Sequence, residues 1–456
     1  MQALQQADFD IPTLGPCTKP SPIGLNTAHG DKVCNFVHDR ERIMYDVYWD
    51  DNRASRYRSR EPLTMELAGP REKIFFNPVH TRVAIVTCGG LCPGINNVIR
   101  SLVMTLNYRY GVREIVGIRY GYRGFIPEYG HPLMQLTPKS VAEIHQFGGT
   151  ILGSSRGQQD VCRIVDFLEQ NQISILFTVG GDGTQRGALE ISREIQQRGL
   201  HISVAGIPKT IDNDISIIEK TFGFETSFTM ASPIIRDAHN EASGAFNGVA
   251  IVKLMGRDSG FIAANAALSM PEVNLVLVPE LEFDLFGEKG LLKVVERRLE
   301  QRRHCLIVVA EGAGQSLFGE IQRHIDASGN VLHEDIGILL RDSIRQHFQS
   351  INTEVTVKYI DPSYIIRSAP ANPSDSIFCN KLSINAVHGA MAGRTGFVVG
   401  RRNNKFVYLP IELVIRERKK IDIEGDLWLN VLETTGQPIS MKNAPQSEHA
   451  KHSLNK

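Results

Sequence analysis

The sequence lacks any apolar run near the ~20 residues that a helix needs to cross a bilayer. It lacks a charge excess of either sign, with 50 Lys plus Arg against 50 Asp plus Glu in 456 residues. The first absence excludes a helical membrane span. The second excludes a partner held by bulk electrostatics, such as DNA or an anionic membrane surface. It also lacks a disulfide framework, since its seven Cys are scattered and odd in number, the usage of reduced thiols. Cys88 and Cys92 lie four apart, but no second Cys or His pair accompanies them to complete a four-ligand zinc site. The first thirty residues hold one Lys and no Arg, and the last five, HSLNK, are not a peroxisomal address, so a cytoplasmic location is expected.

What is present is ordinary globular composition, 42% hydrophobic and 22% charged. The length suggests two or three domains of roughly 150 residues each, enough to bury a core without disulfides or a structural metal. Residues 1–35, rich in Pro, Gly, Thr and Asn, read as a loosely held arm. Residues 36–80 mix both charges with Tyr45, Tyr48, Trp49 and Tyr57 and are expected to wrap another surface. The polar tail from about Gly436 is expected to be mobile. Between these ends short apolar runs recur: Val83–Val86, Glu114–Ile118, Ile173–Val179, Ile202–Ile207, Gly248–Leu254, Val273–Val278, Cys305–Ala310 and Val355–Ile360. Continuous rather than alternating apolar runs predict strands covered on both faces, as in parallel sheets. After Pro93, the spacing of Ile95, Val98, Ile99, Leu102 and Val103 predicts a helix. In α/β sheets of this kind ligands bind beyond the C-terminal strand ends, which directs attention to the loops there.

Four of these loops carry chemistry. Thr87-Cys88-Gly89-Gly90-Leu91-Cys92-Pro93-Gly94 offers close backbone approach and a helix N-terminus, both suited to an anion. Gly148-Gly149-Thr150-Ile151-Leu152-Gly153-Ser154-Ser155-Arg156-Gly157 combines four Gly, several hydroxyls and an Arg, suited to phosphate oxygens. Gly180-Gly181-Asp182-Gly183-Thr184 is neither a Walker A loop nor a dinucleotide GxGxxG. It sets a carboxylate able to hold magnesium among glycines that admit phosphates. Pro208-Lys209-Thr210-Ile211-Asp212-Asn213-Asp214 sets two carboxylates after a Lys, the pattern of a general base with an electrostatic partner. Any one of these is compatible with a solvated turn; four in one α/β chain are not. Farther on, Met255-Gly256-Arg257 and Glu311 end strands, and Lys358 and Arg367 flank Tyr359-Ile360-Asp361-Pro362-Ser363-Tyr364, an array suited to a phosphorylated sugar.

In this order, CGGLCPGINNVIR, GGTILGSSRG, GGDGTQRGA, PKTIDND, KLMGRDSGFIA, AEGAG and KYIDPSYIIR resemble the 6-phosphofructokinase family from about Leu67 to Ile421. The long N-terminus and the KLMGRDSGFIAA and YIDPSY wording are similar to its plant and kinetoplastid ATP-dependent branch. The resemblance implies two Rossmann-like, three-layer α/β domains with mostly parallel sheets, a catalytic cleft between them and an N-terminal extension. Expected bounds are 1–80 for that extension, 81–225 for a nucleotide-binding domain completed by about 380–425, 226–379 for a fructose 6-phosphate domain, and 426–456 for a C-terminal helix and tail. The implied reaction is transfer of the ATP γ-phosphoryl group to the 1-hydroxyl of fructose 6-phosphate, a glycolytic step. Asp212 matches the base, with Lys209 and Thr210 beside it, and Asp182 matches the magnesium ligand. Gly90, Tyr122, Arg156, Gly183 and Thr184 match the nucleotide site. Thr210, Asp212, Met255, Gly256, Arg257, Glu311, Lys358, Tyr364 and Arg367 match the sugar-phosphate site, Lys358 standing for an Arg that bacterial enzymes take from a neighbouring subunit. A second such Arg falls at Gly248 here.

In the family, Gly at the fourth position of GGDGT marks ATP users, whereas Asp there and Lys in the PKTIDND loop mark pyrophosphate users. Gly183 and Lys209 therefore point to different donors. A carboxylate beside a phosphate clashes and repels, whereas a Lys coexists with ATP, so Gly183 decides for ATP. The alternatives are a reversible pyrophosphate-dependent enzyme and a catalytically silent sugar-phosphate-binding subunit; retention of Asp182 and Asp212 argues against the latter. The resemblance further implies a homotetramer and allosteric control, with no nucleic-acid or membrane partner.

Overall fold

The computed structural model describes residues 4–28, 30–47, 62–319 and 332–444; Tyr48, Trp49 and Tyr57 lie outside them. All eight apolar runs form strands. The described chain divides into two compact units, one built from the residues up to Ser227 together with Tyr364–Lys419, the other from residues 228–319, Leu332–Ser363 and 420–444.

The first unit has a nine-stranded sheet. Its centre is parallel, in the order Phe397–Arg402, Ser203–Pro208, Ile175–Gly180, Arg82–Thr87 and Glu114–Ile118. Met134–Gln135 adds an antiparallel strand at one edge, and Lys405–Pro410, Thr64–Leu67 and Arg42–Met44 add three at the other. Strand order reverses between Arg82–Thr87 and Ile175–Gly180, so the loops after these two flank the switch point where such sheets bind ligands. The hairpin Phe397–Pro410 joins the parallel centre to these antiparallel strands and corresponds to none of the apolar runs. Its turn residues Asn403 and Asn404 both have positive φ, 48° and 61°, the conformation that a tight hairpin turn requires and Asn tolerates.

The helix Ile95–Met104 begins where its spacing predicts, and Val98, Ile99, Leu102 and Val103 are fully buried. Asn97 and Ser101 are buried as well, because the helix Pro373–Met391 packs along it: Asn97 Nδ2 donates to Ser376 Oγ at 2.9 Å and Ser101 Oγ to Asn380 Oδ1 at 2.9 Å. That helix therefore sits in the first unit, although the expected bounds assign residues 373–379 to the second domain.

The N-terminal residues are docked rather than loose. Phe9 is fully buried against Tyr45, Thr395 N donates to the Pro12 carbonyl at 3.0 Å, and Lys19–Pro20 pairs with Lys73–Ile74. The surface they cover is the edge of this same unit. Beneath them, Glu66 accepts from Arg71 NH2 at 2.8 Å and Arg394 Nε at 3.0 Å, and both guanidinium groups also reach Asp39, at 2.8 and 2.6 Å. Arg71 and Arg394 are buried, and Glu66 nearly so. Breaking a buried ion pair by removing one partner strands the other charge. Glu66→Ala is thus expected to lower unfolding stability by about 3 kcal/mol, measured by chemical denaturation; a loss below ~1 kcal/mol would match a surface pair and refute this account.

The second unit has a four-stranded all-parallel sheet, in the order Leu275–Leu277, His304–Ala310, Gly248–Leu254 and Thr356–Ile360. A Cβ at Gly248 would lie 2.0 Å from the Ala242 carbonyl oxygen, so no side chain fits there. The tail beyond Gly436 is also ordered, as far as it is described. Gln437 closes the open edge of Leu275–Leu277, accepting from Val276 N at 2.6 Å and donating to Val276 O at 3.3 Å, and Met441 is buried in this unit's core. An apolar Met and one edge-matching amide outweigh the tail's polar composition. No helix among the described residues is long and apolar enough to cross a membrane.

Candidate active site

In the first unit the loops after the strands converge. Gly89 N donates to Ser155 O at 3.0 Å and Ser154 Oγ to Gly89 O at 2.5 Å, stitching the 88–94 loop to the 148–157 loop. Asn96, in the first turn of its helix, clamps the second loop from both sides: its Nδ2 donates to Phe147 O at 3.1 Å and its Oδ1 accepts from Ile151 N at 3.0 Å. A pocket of about 640 Å³ opens between the two loops, lined by Gly89, Gly90, Leu91 and residues 148–150 and 153–156. This is the size of a small-molecule site. Arg156 is exposed there, its NH2 3.6 Å from where a Cβ on Gly90 would stand.

Lys209 is buried, and its ammonium donates to the Gly90 carbonyl at 2.7 Å, tying the 208–214 segment to the 88–94 loop. The segment 180–184, read as a loop, is already helical from Asp182: the helix Asp182–Gln197 has Gly181 as its N-cap. Asp182 and Gly183 thus occupy the first turn, where the helix dipole favours anions. A Cβ on Gly183 would meet no atom within 4 Å, whereas Gly180 is needed because a Cβ there would come within 2.1 Å of Thr184 Oγ1. Tyr122 is buried and donates to the Thr184 carbonyl at 2.7 Å. Burial pushes its phenol well above the usual range, so it braces Thr184 as a neutral donor.

The 208–214 segment is a self-bonded turn. Asp212 N donates to Thr210 Oγ1 at 3.1 Å, Thr210 Oγ1 to Asp214 Oδ1 at 2.7 Å, and Thr221 N to Asn213 Oδ1 at 3.1 Å, with Asn213 left-handed at φ 56°. Arg418, which the sequence reading passed over, approaches Asp182 Oδ2 at 3.9 Å and Asp214 Oδ2 at 4.0 Å, and Arg186 approaches Asp182 at 3.2 Å. The neighbouring Lys419 is largely buried, which pulls its ammonium down to about 8 despite the opposing pull of Asp214. Two carboxylates near one guanidinium fit magnesium, which takes one or two carboxylates together with phosphate oxygens and water rather than an all-protein cage.

The second unit gathers its own set. Arg257, left-handed at φ 47°, directs its N–H to Glu311 Oε1 at 2.9 Å, and Met255 is fully buried. A Cβ on Gly312 would lie 1.8 Å from the Arg257 carbonyl oxygen, so this close approach depends on glycine. Lys358 does not join them: it is an exposed mid-strand residue on the edge strand, opposite Ala250. Tyr364 and Arg367 lie on the short helix Ser363–Arg367, whose residues from Tyr364 onward belong to the first unit; Tyr364 is exposed and Arg367 half-buried.

The sequence pattern described as Phosphofructokinase matches residues 82–390, more than half of the chain. The chain belongs to the phosphofructokinase family. It is 49% identical over 445 residues to an ATP-dependent 6-phosphofructokinase of Borreliella burgdorferi, covering 96% of this chain and 99% of that one. A Trypanosoma brucei brucei relative with the same description is 44% identical over 439 residues, 95% and 88% of the two chains. The fold also matches a crystal structure of a pyrophosphate-dependent phosphofructokinase from Nitrosospira multiformis, with TM-score 0.65 and 20% identity over 81% of this chain and 94% of that one. At that identity the likeness concerns the fold and not the donor.

Proposed function

We propose that the chain phosphorylates fructose 6-phosphate at its 1-hydroxyl with ATP, yielding fructose 1,6-bisphosphate and ADP, a step of glycolysis. The observation that carries this reading is the joining of a glycine-lined pocket to the Thr210–Asp214 turn through Lys209 and Gly90. Asp212 takes the proton of the attacking hydroxyl as it bonds to phosphorus. Gly90, Arg156, Gly183 and Thr184 receive the nucleotide phosphates, Tyr122 bracing Thr184 from behind. Asp182, with Asp214 near the same Arg418 guanidinium, would hold magnesium, which would supply neutralisation of the charge on the phosphoryl oxygens. Met255, Gly256, Arg257 and Glu311, with Tyr364 and Arg367, bind the sugar phosphate.

ATP is favoured over pyrophosphate because the space beside Gly183 is open, whereas Lys209, which bonds the Gly90 carbonyl, is compatible with either donor. Turnover with each donor tests the reading. No bisphosphate from magnesium, ATP and fructose 6-phosphate would sink it, and a marked pyrophosphate preference would overturn the donor. We further propose a cytoplasmic homotetramer in which the exposed Lys358 serves a neighbouring subunit. Light scattering should give four times the chain mass of 50.7 kDa; a monomer alone would contradict it.

A further inference from the structure

Lys253 is the penultimate residue of the strand Gly248–Leu254, otherwise built of Gly, Val, Ala, Ile and Leu. Its side chain is largely buried, with the ammonium 2.7 Å from Asp335 Oδ2, 3.1 Å from Asp361 Oδ2 and 5.7 Å from the centre of the Tyr359 ring. Each partner fastens a different segment. Asp335 caps the helix Ile336–Ser350 by accepting from Gly337 N at 3.0 Å and Ile338 N at 3.2 Å, while Tyr359 Oη donates to Asp335 Oδ1 at 2.8 Å. Asp361 Oδ1 accepts from Ser363 N at 3.0 Å and Ser363 Oγ at 2.5 Å. The Tyr359 ring leaves no room on the capped helix: a Cβ on Gly337 would lie 2.1 Å from it.

The two carboxylates are each about one-third exposed, and ion pairs so placed contribute little to stability, no more than apolar side chains of similar volume would. A Leu at 253 would pack against the sheet, but it would tie no carboxylate to the strand end. What the charge adds is position. Two residues after Lys253 the chain enters Met255-Gly256-Arg257; two residues after Asp361 it enters the helix that carries Tyr364 and Arg367. Burial opposes the charge on Lys253, yet the bonds from Asp335, Tyr359 and Asp361 prevail and hold its ammonium above the ordinary lysine range. The link therefore stays charged through the neutral range.

We propose that Lys253 is a positioning residue for fructose 6-phosphate: its bonds to Asp361 and Asp335 set the Asp361–Ser363 turn against the strand end from which Met255-Gly256-Arg257 emerges. The proposal rests on the sugar-phosphate reading of those residues. Its effect is on binding of the sugar phosphate, not on the nucleotide and not on the proton transfer at Asp212.

The test is steady-state kinetics of Lys253→Met, which keeps length and loses charge. KM for fructose 6-phosphate should rise on the order of 10-fold, while KM for ATP and kcat stay within about 2-fold. Lys253→Arg, which restores the charge, should recover part of the loss. An unchanged KM for fructose 6-phosphate would overturn the proposal, as would a parallel change in both KM values and kcat, the mark of general loosening. If Lys253→Met does not fold, Asp361→Asn replaces it, keeping an acceptor for Ser363 while losing the charge facing Lys253, with the same two overturning results. The parent chain separates the readings. Parent turnover of fructose 6-phosphate with unaltered variants sinks this proposal alone, whereas no parent turnover sinks it together with the function on which it rests.

Discussion

Asp212→Asn is expected to lower kcat by about 10²–10⁴-fold, the range of general-base catalysis, with thermal stability and KM for ATP little changed. The hydroxyl that attacks phosphorus must lose its proton as the bond forms, and an amide cannot take it. Asn keeps the size of the side chain and the turn's bonds through the Asp212 backbone N–H and through Thr210, Asp214, Asn213 and Thr221. Steady-state rates with a thermal melt on the same preparation separate chemistry from folding. A folded Asp212→Asn variant as active as the parent would show that the base is misplaced.

Gly183→Asp should cut turnover with ATP by about 100-fold. The residue stands in the first turn of the helix Asp182–Gln197, and a Cβ there meets no protein atom within 4 Å, so the new side chain fits the fold. Asp is a better helix residue than Gly, and a helix N-terminus favours its charge, so melting temperature should hold or rise slightly. What it meets is the donor. In the proposed nucleotide site a second carboxylate beside Asp182 would face phosphate oxygens, and a like-charge contact of this kind costs several kcal/mol, of which about 2.7 kcal/mol is already 100-fold. ATP kinetics equal to the parent's would refute the steric and electrostatic argument for the donor.

How far the sequence could be read follows from how local each feature is. Strands covered on both faces announce themselves as continuous apolar runs, and all eight such runs formed strands. Glycine, carboxylate and Lys motifs after strands are contiguous, so the four segments were legible as units, although 180–184 is helical from Asp182 rather than a loop. Asn96 and Arg418 were not, because each acts on a loop far away in the chain: Asn96 on Ile151, Arg418 on Asp182 and Asp214. Two Asn in the otherwise apolar start of the helix after Pro93 were the available signal for the first. Arg418 left none. Lys358 stands within its strand rather than at the end: the Thr356–Ile360 register sets it opposite Ala250.

Composition misled at both ends of the chain. Polar, Pro-rich and Gly-rich segments read as loose, yet Phe9, Gln437 and Met441 each find a complementary place on an existing edge or core, and a single buried anchor suffices to hold a short segment. The sequence by itself determined the α/β class, the strands and the chemical content of the loops, because covalent proximity keeps those residues together whatever the fold does. Only the tertiary structure decided that Lys209 closes on Gly90, that the helix Pro373–Met391 belongs with the first unit, and that Lys253 gathers Asp335, Asp361 and Tyr359. Those contacts join segments many residues apart, and which buried polar group meets which is settled by packing, where each must find a partner or lose its solvation uncompensated.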